Sequence, residues 1–99
     1  MTPPTITYLY TPASSTDKLA RSLQRGADVV IFDLEDAVAP DQKVAARDGL
    51  GEFLGRLNGG ETSRIHVRIN ALDTPWGEAD LQALAKMPHV EGIRVPKVN

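Results

Sequence analysis

Apolar residues along the chain follow two alternating patterns. Short, nearly continuous apolar runs at Ile6 to Tyr10, Val29 to Leu34, Ile65 to Ile69 and Ile93 to Val95 predict four strands. Thr11-Pro12 closes the first of them, because proline cannot donate to a ladder. Between the strands, apolar positions recur at helical spacing. Leu19, Ala20 and Leu23 predict a helix running from Ser15 or Thr16 through Asp17 to Arg25, with a hydroxyl cap at its start and Gly26 as its stop. A second helix is predicted from Gln42 to Leu57, burying Val44, Leu50, Phe53, Leu54 and Leu57 and stopping at Asn58-Gly59-Gly60. Gly49, Gly51 and Gly55 each weaken it by roughly 1 kcal/mol against alanine, so it depends on tertiary packing. A turn over Asp73-Thr74-Pro75-Trp76-Gly77, with Trp76 packed against the element that follows, feeds a third helix from Gly77 to Lys86.

Strands separated by helices pair in parallel, since such connections suit a crossover and not a hairpin. The class is therefore α/β, and two architectures fit: the doubly wound open sheet and the (β/α)8 barrel. Both place their chemistry at the C-terminal ends of the strands. The turn after the first strand, Thr11 to Thr16, has no glycine to let a pyrophosphate approach the backbone, which favours the barrel. Residues 1–99 then form one domain, the N-terminal four βα-type units of a (β/α)8 TIM barrel. Such an arc leaves a face and two strand edges uncovered, so self-association and a homo-oligomer are expected.

Composition narrows the functional classes. A net charge of −2 with scattered basic residues argues against a nucleic-acid partner. The chain has no cysteine, which excludes disulfide scaffolds, thiolate metal sites and cysteine nucleophiles. Met1-Thr2-Pro3-Pro4 lacks the basic and apolar regions of a signal peptide, and no apolar run approaches a membrane span. A cytoplasmic protein is expected, with no membrane partner.

The strand ends carry the candidate chemistry. Strand two finishes in Asp33-Leu34-Glu35-Asp36, three carboxylates within four residues, while strand three finishes on Arg68 and strand four on Lys97. Glu35 and Asp36 could hold a hard cation such as Mg2+, directly or through water, or they could cap the next turn and pair with Lys43 and Arg47. Arg68 shares a face of its strand with His66, opposite Ile65, Val67 and Ile69, and should point into the barrel mouth. There it could grip a substrate carboxylate through two parallel hydrogen bonds, or pair with Asp33, Glu35 or Asp36, and the two roles are compatible. His66, one layer deeper, reads as an interior histidine. Ser14, Ser15, Thr16, Lys18 and Arg21 surround a helix N-terminus, which could hold an anion or could simply be capped beside a solvated basic face. Lys97 could reach the mouth or neutralise the acids.

Leu9-Tyr10-Thr11-Pro12, Asp33-Leu34-Glu35-Asp36-Ala37-Val38, Lys43 with Ala46-Arg47, Val67-Arg68-Ile69-Asn70, Pro75-Trp76-Gly77 with Asp80-Leu81, and Val95-Pro96-Lys97-Val98 together resemble the citrate lyase beta subunit family. That family belongs to the wider group of HpcH/HpaI-type aldolases and malyl-CoA lyases. The resemblance spans nearly the whole chain. It implies a (β/α)8 barrel that binds Mg2+ and makes or breaks a carbon–carbon bond between a 2-oxo acid, such as oxaloacetate or glyoxylate, and an acyl thioester on coenzyme A or a carrier protein. By position, Arg68 matches the arginine that holds the acid carboxylate, and Glu35 and Asp36 match the acidic motif beside the metal. Tyr10, Lys18 and Arg21 lie where related enzymes contact substrate or coenzyme A, and Lys97 is a further substrate-binding candidate. Two departures stand out: Ala13 replaces the usual glycine after the first-strand proline, and the direct metal ligands, a glutamate and an aspartate, come from later strands, so none is expected within this chain. The 99 residues alone are accordingly expected to be inactive. The rival expectation is a non-catalytic half-barrel module that folds by self-association; an unrelated phosphate-binding barrel would require glycine-rich loops that this sequence lacks.

Overall fold

A computed structural model describes residues 6–61 and 63–96. Four strands, β1 (Tyr8–Pro12), β2 (Val29–Asp33), β3 (Arg64–Arg68) and β4 (Gly92–Arg94), form a single sheet in that spatial order, each pair parallel. The connections are α1 (Thr16–Ser22), α2 (Lys43–Gly55), entered through a 3-10 turn at Pro40–Gln42, and α3 (Gly77–Leu84). Sequential order without reversal is the arrangement of a barrel arc; a doubly wound sheet switches direction.

Strand alternation separates two faces. Toward the helices lie Val30, Phe32, Ile65 and Val67, joined in the core by Leu19, Leu34, Ala46, Leu50, Leu54, Ile69 and Leu84. Phe32 meets Phe53 of α2 edge to face, with ring centroids 6.1 Å apart. The other face carries three cross-sheet rows: Tyr8, Val29 and Arg64; then Tyr10, Ile31, His66 and Gly92; then Pro12, Asp33, Arg68 and Arg94 at the C-terminal end. Ile93 and Val95 remain 40 % and 50 % exposed, showing that the helix-side cover stops short of β4.

The expected elements are all present, with displaced ends. β1 continues through Thr11-Pro12 because Pro12 occupies an edge strand, where its missing N–H breaks no ladder, and Ala13 N donates to the Asp33 carbonyl at 2.9 Å immediately beyond it. α1 ends at Ser22, and turns carry the chain to Gly26, whose φ of +78° suits glycine. Helix α2 buries Lys43 and Ala46, whereas Val44, expected in the core, is half exposed. Gly51 has a packing reason, since a Cβ there would lie 3.3 Å from the Met87 methyl. The turn before α3 forms as expected: the Thr74 hydroxyl donates to the Ala71 carbonyl at 2.6 Å and accepts from Gly77 N at 3.2 Å. Gly77 is sterically required, as a Cβ would overlap the Ala71 carbonyl.

Candidate functional site

The C-terminal end of β2 is organised around Asp33. Register sets it beside Arg68, and the two meet side by side: Arg68 Nε donates to Oδ1 at 2.9 Å and Nη2 to Oδ2 at 2.6 Å. The same oxygens accept the backbone N–H groups of Glu35 at 2.9 Å and Ala37 at 3.2 Å. One carboxylate therefore folds the loop after β2 and fastens it to β3. Burial alone would lift the Asp33 carboxyl, but the hydrogen bond and charge of Arg68 and the two backbone donors hold it below the ordinary aspartate value. Arg68 is in turn held protonated more firmly than a free arginine, chiefly by its hydrogen bond to Asp33.

Asp33 is thus committed to structure, and Glu35 and Asp36 remain at the loop. The Glu35 carboxyl is pushed up, first by the hydrogen bond it shares with Asp36, then by partial burial and the Asp36 charge. Lys43 and Arg47, which the sequence offered as their partners, are engaged elsewhere. Lys43 Nζ donates to the carbonyls of Leu34 at 3.1 Å and Glu35 at 2.7 Å and stands 5.4 Å from the Trp76 ring centroid, while Arg47 Nη1 donates to Asp80 at 3.0 Å. Two crowded carboxyls with no salt bridge to a lysine or arginine among the described residues suit a hard, hydrated cation. Among the described residues no group of three or more acidic or histidine side chains is placed to hold a metal. Glu35 and Asp36 supply oxygen donors of the kind a hard cation such as Mg2+ takes.

Acid titration tests this division of roles. A carboxyl lowered in the fold stabilises the protein above its unfolded pKa of about 3.8 and loses that contribution as pH falls through the folded value, so Asp33 should steepen acid unfolding. A raised carboxyl acts oppositely, so protonating Glu35 should favour the fold. Urea midpoints measured from pH 6 to pH 3 should show Asp33→Asn less stable at neutral pH but with an acid limb shallower by up to about one proton, and Glu35→Gln with a steeper limb. Parallel limbs in all three proteins would contradict the assignment.

Asp80 is a residue that the sequence reading passed over. It is 1 % exposed and accepts from Arg47 Nη1, from Asn70 N at 3.1 Å and from Asn70 Nδ2 at 2.6 Å, joining α2, the end of β3 and α3. The Asp80-Leu81 pair in the resemblance was the available signal.

Tyr10, Lys18 and Arg21, named as substrate-binding candidates, line one cleft of about 240 Å³ between β1 and α1. Arg25 joins them, a residue that the spacing of Lys18, Arg21 and Arg25 on one helix face could have revealed. Tyr10 also faces Arg68, whose guanidinium carbon stands 5.4 Å from its ring centroid, so the cleft and Arg68 adjoin the same tyrosine. The hydroxyl of Ser15 caps α1, accepting from Lys18 N at 3.4 Å. His66 is partly exposed on the sheet face opposite the helices, with its basicity lowered by burial and then by the charge of Arg94. Lys97 lies outside the described residues.

A family model described as HpcH/HpaI aldolase/citrate lyase matches residues 7–99. The chain belongs to this family. Among its relatives, the (3S)-malyl-CoA thioesterase of Cereibacter sphaeroides is 45 % identical over 91 residues, covering 92 % of this chain and 31 % of that protein. Citrate lyase subunit beta of Leuconostoc mesenteroides is 38 % identical over 92 residues, covering 93 % and 30 %. The citrate lyase beta subunit of M. tuberculosis, solved with oxaloacetate and magnesium, superposes with a TM-score of 0.75 at 40 % identity over 92 % of this chain and 38 % of that one. The chain spans about a third of the length of these HpcH/HpaI relatives.

Proposed function

We propose that this chain supplies the acid-binding arc of a Mg2+-dependent carbon–carbon lyase that cleaves or forms a bond between a 2-oxo acid and an acyl thioester. The observation that carries the reading is the side-on pairing of Arg68 with Asp33. It occupies the Nε–Nη2 edge of the guanidinium and leaves the Nη1–Nη2 edge for a substrate carboxylate. The acid loop follows β2 directly, and the M. tuberculosis relative binds oxaloacetate together with magnesium. When bound, the cation supplies polarisation of the substrate carbonyl. Arg68 would orient the acid by its carboxylate, and its fixed charge would offset the oxyanion on the adjacent carbon, which becomes the carbonyl as the electron pair of the broken bond passes to the thioester α-carbon. Lys18, Arg21 and Arg25 offer three cations to the phosphates of coenzyme A.

Thioester hydrolysis is the second reading, favoured by the 45 % identity to the malyl-CoA thioesterase. Incubating the full-length protein with malyl-CoA and Mg2+ separates the two. Lyase action releases glyoxylate and leaves acetyl-CoA, whereas hydrolysis releases malate and a free thiol. Mg2+-dependent glyoxylate without thiol is expected; thiol with malate and no glyoxylate would overturn the lyase reading.

A further inference from the structure

We propose that Lys43 is a positioning residue of the lyase site, its ammonium holding the Glu35-Asp36 loop from behind. The proposal rests on the lyase reading above and adds a residue that acts through the loop. Local physics disfavours a lysine at this place. Lys43 is the first residue of α2, where the helix dipole opposes a cation. It is only 7 % exposed, and it makes no salt bridge among the described residues. A methionine would bury a stem of similar length without taking an ammonium out of water. Positions that break local preferences are expected where a site demands it.

What the ammonium reaches is the carbonyl side of the loop after β2. Lys43 Nζ donates to the carbonyls of Leu34 at 3.1 Å and Glu35 at 2.7 Å. From the other side, the Asp33 carboxylate accepts Glu35 N at 2.9 Å and Ala37 N at 3.2 Å. Glu35 therefore has its amide held by an anion and its carbonyl held by a cation, and Val38 N donates to the same carbonyl at 3.2 Å. Charge-assisted bonds are roughly twice as strong as neutral ones, so the main chain that presents the Glu35 and Asp36 carboxyls keeps little freedom. The Trp76 ring, from the turn before α3, occupies a further side of the ammonium, with its centroid 5.4 Å from Nζ. A cation on α2 thus fixes the acids of one βα unit under cover supplied by the next.

Amide hydrogen exchange of the unaltered full-length protein without Mg2+ is the first measurement: the Glu35 and Ala37 amides should exchange about 100-fold more slowly than in a free peptide, or slower still. Lys43→Met should speed that exchange and weaken Mg2+ binding in calorimetry by about tenfold or more, the range for residues that orient metal-site groups from behind. It should lower kcat while KM for the acyl thioester stays within about twofold, and Lys43→Arg, which keeps charged donors, should restore part of each loss. Leu50→Ala, a core truncation in the same helix, should lower the melting temperature and leave Mg2+ affinity unchanged. Loop amides that exchange at the free-peptide rate in the unaltered protein would overturn the inference without any variant. So would Mg2+ affinity in Lys43→Met within about twofold of the unaltered protein, and either result leaves the lyase reading standing. An equal loss of Mg2+ affinity in Leu50→Ala would also overturn it, showing that Lys43 acts through stability alone. An unaltered protein that binds no Mg2+ would remove the lyase reading and the inference together.

Discussion

Replacing Arg68 by alanine in the full-length protein is expected to lower kcat/KM by roughly 30-fold to several thousand-fold, because truncating one member of a charge-assisted pair costs on the order of 2 to 5 kcal/mol. The structure raises the stake beyond the substrate contact. Arg68 answers the Asp33 carboxylate, which also holds Glu35 N and Ala37 N, so its loss loosens the acid loop as well. Lysine should recover only part of the activity, since an ammonium cannot engage Asp33 and a substrate carboxylate along two separate edges. Kinetics and thermal unfolding measured on the same preparations decide the matter. A destabilised Arg68→Ala protein with near-normal efficiency would remove Arg68 from substrate binding and leave it as a partner of Asp33 alone.

The largest effect on stability is expected at Asp80. Its carboxylate is almost fully buried and serves three donors from two other segments. Asp80→Ala leaves the Arg47 guanidinium, 16 % exposed, without its counter-charge and strands two Asn70 donors, a loss of about 3 to 5 kcal/mol. Asp80→Asn keeps one acceptor and should recover a fraction of this. Urea unfolding at constant slope is the measurement, and a change below about 1 kcal/mol would show that the three-way junction contributes little.

Local pattern carried most of the architecture. The runs at Val29 to Leu34 and Ile65 to Ile69 mark strands whichever way the sheet is ordered, and the alternation around Arg68 correctly separated it from Val67 and Ile69. Boundaries were less legible because pairing decides them. Pro12 belongs to β1 since Asp33 lies opposite it, a fact of register and not of propensity. Val44 and Lys43 exchanged expected places for a similar reason: the Lys43 ammonium finds two carbonyls at the end of β2, and its aliphatic stem can then be buried at no cost in unpaired charge. At the site, composition put three acids together but could not rank them. Asp33 proved to be the structural one only because Arg68, 35 positions later, arrives beside it. The Asp80 junction and the Arg94 pairing with Tyr8 join residues from separate units, and no periodicity within one unit signals such meetings.

The double duty of Asp33, bonded to Arg68 and to the loop after β2, would make the two halves of the proposed site thermodynamically reciprocal. Under the proposed function, an oxo acid drawing on Arg68 and a cation drawing on the Glu35-Asp36 loop would pull on one carboxylate from opposite sides. Whatever factor by which the acid changes the affinity for the cation, the cation must change the affinity for the acid by the same factor. A single side chain of the second strand would thus set the sign and size of that coupling.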